Sequence, residues 1–164
     1  MSIEKKRVLY RFVMFGLMGM MMEVFFTAAG AFTGGDWNMH GHSSPWMILD
    51  YGLLGVVLMP IARPMIRRKI PLPLRAAVYV PGIFAVEFIS GWIFDMCGLT
   101  IWDYSRFPLN LMGYITLTYA PFWYGLGLVV ESLYRRVDVC ALVLAKGLSA
   151  GHIEKLEASR PVPS

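Results

Sequence analysis

Two glutamates stand where a glutamate is costly. Glu23 lies in "MEVFFTAAG" and Glu87 in "VEFISGWIF", with apolar sequence on both sides. Each follows an arginine, Arg11 or Arg75, by twelve residues. An ionised carboxyl at the centre of a bilayer costs about 3 kcal/mol or more, so such residues face a protein interior and mark cation, proton or substrate sites. A carboxyl kept protonated by burial can instead serve as a general acid, with a second carboxyl as base. Asp50, early in another apolar run, either reaches the same interior or caps its helix. Beyond Glu87 comes a polar aromatic knot, Trp102-Asp103-Tyr104-Ser105-Arg106, followed by Asn110 and Tyr114. This stretch can fold back as a lid that places polar groups above Glu87. It also has a plainer reading: Trp102 and Tyr104 as aromatic anchors at the membrane surface, and Asp103 paired with Arg106.

The elements that must carry these residues are membrane helices. Only 16% of the 164 residues are charged and 57% are hydrophobic, where a soluble domain has about a quarter charged. Mean hydropathy is +0.55. Apolar runs cover residues 12–32, 46–61, 76–99 and 109–130. A helix needs about 20 residues to cross the hydrocarbon core, and backbone groups in lipid must be satisfied within the segment, which selects helices. The second run is short and contains Pro60. Lys5, Lys6, Arg7 and Arg11 precede the first run. Arg63, Arg67, Arg68, Lys69 and Arg75 lie between the second and third, and Arg135, Arg136 and Lys146 follow the fourth. Of the remaining two loops only the second holds a base, Arg106. The positive-inside rule then puts both termini in the cytoplasm. The expected architecture is all-α, with a four-span membrane domain over residues 1–136. Residues 137–164 form a cytoplasmic tail that includes an interfacial helix and ends in a mobile segment. The first run imitates a signal peptide, with Ala29-Gly30-Ala31 at its end, but Glu23 inside the apolar stretch argues for a retained span.

The two halves resemble each other. Arg11 and Glu23 match Arg75 and Glu87; Pro45 and Tyr51 mirror Pro108 and Tyr114; Arg67-Arg68 mirrors Arg135-Arg136. This predicts two helical hairpins in the same orientation, a parallel repeat of the transporter kind. With a rise of about 1.5 Å per residue, both glutamates lie about 18 Å beyond their arginines, hence at one depth. Gly16, Gly19, Glu23, Thr27 and Gly30 share one stripe of the first span, and Glu87, Gly91, Asp95 and Gly98 one stripe of the third. Small residues allow close helix packing. Glu131 stands four residues before Arg135, a good local ion pair. The three prolines of "RPMIRRKIPLPLR" stiffen the cytoplasmic loop.

His40 and His42 have a metal-like spacing but no third ligand, so no metal is expected. No phosphate-cradling loop or dinucleotide fingerprint occurs, and no cofactor is expected. The net charge of +4 is explained by cytoplasmic anchors that favour anionic lipid and needs no nucleic acid.

The segments "EVFFTAA", "EFISG", "WDYSRFPLNLMGYITL" and "YAPFWYGLGLVVE" resemble the transmembrane protein 229 family, grouped with bacterial proteins labelled "Putative ABC-transporter type IV". The likeness covers residues 8 to 136 and carries over to Glu23, Glu87, Trp102, Asp103, Tyr104, Ser105, Asn110 and Gly113. It implies a small multi-span membrane protein of the plasma membrane or bacterial inner membrane, without naming a chemistry.

The first functional expectation is permease-like binding of a small cation, proton or amphiphile at Glu23, Glu87, Asp50, Asp103, Asn110 and Tyr114. Membrane lipids are its surroundings, and a homo-oligomer or membrane partner would complete any path. The second is a lipid- or polyene-modifying enzyme using Glu87 and Asp103. The third is a membrane scaffold whose acids only fasten helices.

Overall fold

The computed structural model describes residues 1–147 and residues 149, 151, 152, 154 and 155. Four long helices dominate: α1 (Ile3–Thr33), α2 (Met47–Arg67), α3 (Leu72–Met96) and α4 (Ala120–Lys146). Three of them, α1, α2 and α3, are long and apolar enough to cross a membrane. Between α3 and α4 the chain makes a small antiparallel hairpin, β1 (Asn110–Leu111) and β2 (Ile115–Thr116), then a 3-10 turn.

Each helix departs from its apolar run at the ends, for local reasons. The helix α1 begins nine residues before the run at residue 12, because Ser2 caps it by accepting from Lys5 N and Glu4 suits the first turn. Charged residues are no obstacle to a helix once outside the lipid. The helix α2 continues through Pro60 and Pro64 to Arg67. Prolines are tolerated inside membrane helices, where neighbouring groups satisfy the freed carbonyls. The loop between α2 and α3 shrinks to residues 68–71, since Pro64 sits inside α2 and Pro73 in the first turn of α3, where no N–H is needed.

The largest departure is at the fourth run. Residues 109–119 are apolar but not helical, and α4 starts at Ala120. Leu109, Met112 and Gly113 all have positive φ, a backbone that turns rather than spirals. Pro121 stands in the first turn of α4, which suits a start. At the other end α4 runs on to Lys146, so residues 137–146 continue the fourth helix rather than forming a separate interfacial one. The expected mobile segment, residues 157–164, lies outside the described residues.

Packing is by hairpins. The helix α1 lies chiefly on α2, α3 on α4, and α1 also on α4, whereas α2 and α3 barely touch. Close approach is made by small residues: a Cβ on Gly55 would sit 2.8 Å from the Arg11 carbonyl oxygen, and one on Gly127 3.1 Å from Ala76 Cα. One apolar core joins Phe15, Leu58, Tyr79, Val130, Tyr134 and Val137 from all four helices. A second, nearer the loops, joins Phe84, Ile115 and Trp123.

Candidate functional site

The ends of the bundle treat their acids differently. Near the chain termini, Asp138 on α4 accepts from Arg7 Nε (2.8 Å), from the Arg7 terminal nitrogen and from Arg11 Nη1 (2.6 Å). Arg11 also donates to the Gly55 carbonyl at 3.0 Å and lies over the Tyr134 ring. Two turns earlier on α4, Glu131 accepts from Arg75 Nε (2.7 Å), from Arg75 Nη2 (2.8 Å) and from the Tyr79 hydroxyl. The expected local pair of Glu131 with Arg135 is therefore not the one formed. Arg75 reaches Glu131 from a facing helix with two guanidinium nitrogens, one on each carboxylate oxygen, and so ties α3 to α4.

Toward the loops lies a cavity of about 370 Å³. Glu23 from α1 and Glu87 from α3 both line it, together with Tyr51 from α2 and Trp123 from α4. Ser43 donates to Glu23 Oε2 at 2.9 Å, and the Tyr51 hydroxyl also faces Glu23. A second cavity, of about 280 Å³, runs along α2, α3 and α4 toward the termini. It is lined mainly by Leu, Val and Ile, and Asp50 projects into it. Met47, Tyr51, Glu87 and Trp123 line both cavities and so stand between them. The three carboxyls lie within electrostatic reach of one another, Asp50 acting on Glu87 and Glu23 on both. None of the three forms an ion pair among the described residues.

Two polar atoms at this junction are orphaned. Asp50 Oδ2 and Trp123 Nε1 are buried with no hydrogen-bond partner among the described residues. Ser90 lies beside Asp50, but its hydroxyl donates to the Val86 carbonyl at 2.7 Å. The Trp123 indole is turned toward Glu87 without a well-formed hydrogen bond. Buried donors and acceptors are ordinarily satisfied, so each exception asks for a partner.

The segment after Glu87 divides. Trp102, Asp103, Tyr104, Phe107 and Tyr119 line the outer cavity, whereas Ser105, Arg106, Asn110 and Tyr114 do not. Asp103 does not pair with Arg106. Its Oδ1 accepts from Ser105 N (2.8 Å) and its Oδ2 from Ser105 Oγ (2.9 Å), which hold its carboxyl below the usual carboxylate range. Asn110 fastens the loop, donating to the carbonyls of Ser105 (3.2 Å) and Phe107 (2.8 Å). Gly113 has φ +76°, and a Cβ there would meet Asp103 Oδ1 at 3.0 Å. Trp102 Nε1 donates to the Tyr114 carbonyl, and the Tyr114 hydroxyl to Asp95 at 2.8 Å. Tyr114 thus serves a separate small pocket beside Gly91 and Asp95. The loop is built as a folded cover: Asp103, Ser105, Asn110 and Gly113 hold its shape, while Trp102 and Tyr104 present it to the cavity.

On the other loop, His40 Nδ1 lies 2.6 Å from Asp36 Oδ2, and this contact holds the Asp36 carboxyl below its usual range. His42 lines the outer cavity, its backbone tied to Thr27 Oγ1. No group of three potential metal ligands exists among the described residues. Residue types and spacing did not single out Ser43 or Trp123. A serine in a Gly- and His-rich loop carries no signal. A tryptophan near a span end reads as an interface anchor.

No solved structure matches the chain. A family model described as "Putative ABC-transporter type IV" matches residues 10–149, which takes in most of α1, the other three helices and both cavities. With three helices able to cross a bilayer, this is a multi-pass, transporter-like membrane protein, and the chain belongs to the family described as "Putative ABC-transporter type IV".

Proposed function

We propose that the protein is a permease-like carrier whose acidic junction binds a proton, a small cation or an amphiphile. One observation carries the reading: Glu87 lines both cavities, with Asp50 and Glu23 in electrostatic reach and no arginine or lysine paired to any of them. Uncompensated carboxyls in a membrane interior are retained for a partner that brings the missing charge or proton. In the enzyme alternative, Ser105 holds both oxygens of Asp103 and Glu23 is the carboxyl that shares the cavity with Glu87 as base.

In this reading α4 is the fourth span and both termini are cytoplasmic, on the side that carries nearly all the basic residues. The two hairpins act as a parallel repeat. Arg11 meets Gly55 as Ala76, next to Arg75, meets Gly127. Glu23 faces Tyr51 as Glu87 faces Trp123. On that register the counterpart of Tyr51 is Trp123 rather than Tyr114. A second copy or another membrane protein would widen so narrow a bundle into a full path.

Equilibrium binding of tetraphenylphosphonium to the full chain in nanodiscs tests the reading. Glu87→Gln should weaken binding at least tenfold while the protein still inserts and unfolds at the wild-type temperature. Unchanged binding in that variant would remove the acidic site from the function.

A further inference from the structure

The second cavity identifies the class of ligand more narrowly, on the assumption that the acidic junction is the binding site. Because α2 and α3 barely touch, the space between them is a groove with α4 as its floor. In a bilayer such a groove opens sideways to the acyl chains. Its length is hydrocarbon: Leu53, Val57, Ile61, Val78, Ile83 and Leu126 among others. Its loop-side end is not. There the side chains of Asp50 and Trp123 line the same space, and each has a buried polar atom without a partner among the described residues, the acceptor Asp50 Oδ2 and the donor Trp123 Nε1. Trp123 is only 7% exposed. The smallest group that satisfies both is a hydroxyl, which donates once and accepts as well. Just beyond, the outer cavity holds Glu87 and Glu23 without a cation. Apolar groove, polar junction and acidic chamber therefore adjoin one another.

We propose that these adjoining spaces bind a long-chain amino alcohol. Its single hydrocarbon chain lies in the α2–α3 groove, its hydroxyl lies between Asp50 and Trp123, and its ammonium sits beside Glu87 and Glu23. The Trp123 and Tyr51 rings, which line both cavities, add aromatic faces to which a cation is drawn. Entry is lateral, from the bilayer, and the loop cover of Trp102 and Tyr104 closes the head-group end.

Native mass spectrometry of the full chain released from nanodiscs, with four probes, tests each part. Aminooctadecanol should bind. Octadecylamine, lacking the hydroxyl, and octadecanol, lacking the ammonium, should each bind about tenfold more weakly, the size of one buried polar interaction lost. Ethanolamine, lacking the chain, should not bind detectably. Trp123→Phe should weaken aminooctadecanol about tenfold and leave octadecylamine unchanged, a pattern that a mere loss of packing would not give. Gly82→Leu should block every long-chain probe. Gly82 lines the groove, and a Cβ there meets nothing within 4 Å, so the fold accommodates the change. Ethanolamine binding as tightly as aminooctadecanol, and lost in Glu87→Gln, would overturn the lipid assignment and leave the acidic-site reading standing. Aminooctadecanol binding that ignores Glu87→Gln would overturn both. Binding of no probe, or binding indifferent to Gly82→Leu and Trp123→Phe, would overturn the assignment.

Discussion

One bundle holds two groups of buried acids under opposite rules. At the terminal end, Glu131 and Asp138 are met by Arg75 and by Arg7 with Arg11, each carboxylate fully engaged. At the loop end, Glu23, Asp50 and Glu87 share a junction with no arginine or lysine. The first group supplies its own counter-charges and so fastens α1 and α3 to α4. The second has no arginine or lysine to meet it. The difference lies in the partners and not in burial alone: one group is met by guanidinium groups and the other is not.

The sharpest way to break it is to treat both groups alike. Glu131→Gln strands the Arg75 guanidinium and the Tyr79 hydroxyl, and should destabilise the protein by about 3 kcal/mol in detergent unfolding. Glu87→Gln should change the same measurement by less than about 1 kcal/mol, because no partner is stranded. If Glu87→Gln proves as damaging as Glu131→Gln, the loop-end acids are fasteners and the contrast disappears. A smaller effect tests the cover. Gly113→Ala forces a side chain into a left-handed backbone and against Asp103. It should cost about 1 to 2 kcal/mol and loosen residues 102–105, read as faster proteolysis of that loop. The smallest effect is a pH dependence. Because hydrogen bonds from Ser105 hold the Asp103 carboxyl below its usual range, their stabilisation is fully present above that range. It is lost as pH falls through the lowered value. Hydrogen exchange at the Ser105 amide should quicken only in that acid window, and not at all in Asp103→Asn.

Much of this was legible in the sequence, and the misses have physical causes. Glu23 and Glu87 announced themselves because an acid in an apolar run has few explanations. Their common cavity followed from equal spacing to Arg11 and Arg75. The fourth run misled because hydropathy does not distinguish an apolar hairpin from an apolar helix. Pro108, Asn110 and Gly113 carried the turn signal within it. Tyr114, mirrored in sequence with Tyr51, went elsewhere, since loop lengths differ and only contacts reveal the register of the second helices. The partner of Glu131 was hidden because Arg75 is 56 residues away, while Arg135 is one helical turn away and on the wrong helix. Trp123 and the groove beside it depend on two helices that do not pack, and no single-chain pattern records an absent contact.

The two arginine clamps converge on α4 and neither involves an α2 side chain. Sliding α4 by one turn would rupture both at once, so α1, α3 and α4 form a tripod with a locked foot. The helix α2 is held by α1 instead: Arg11 donates to the Gly55 carbonyl and close glycines seat the two helices together, while contact with α3 and α4 is sparse. The space beside Glu87 therefore lies on the sides of α2 that neither clamp nor close helix packing shuts.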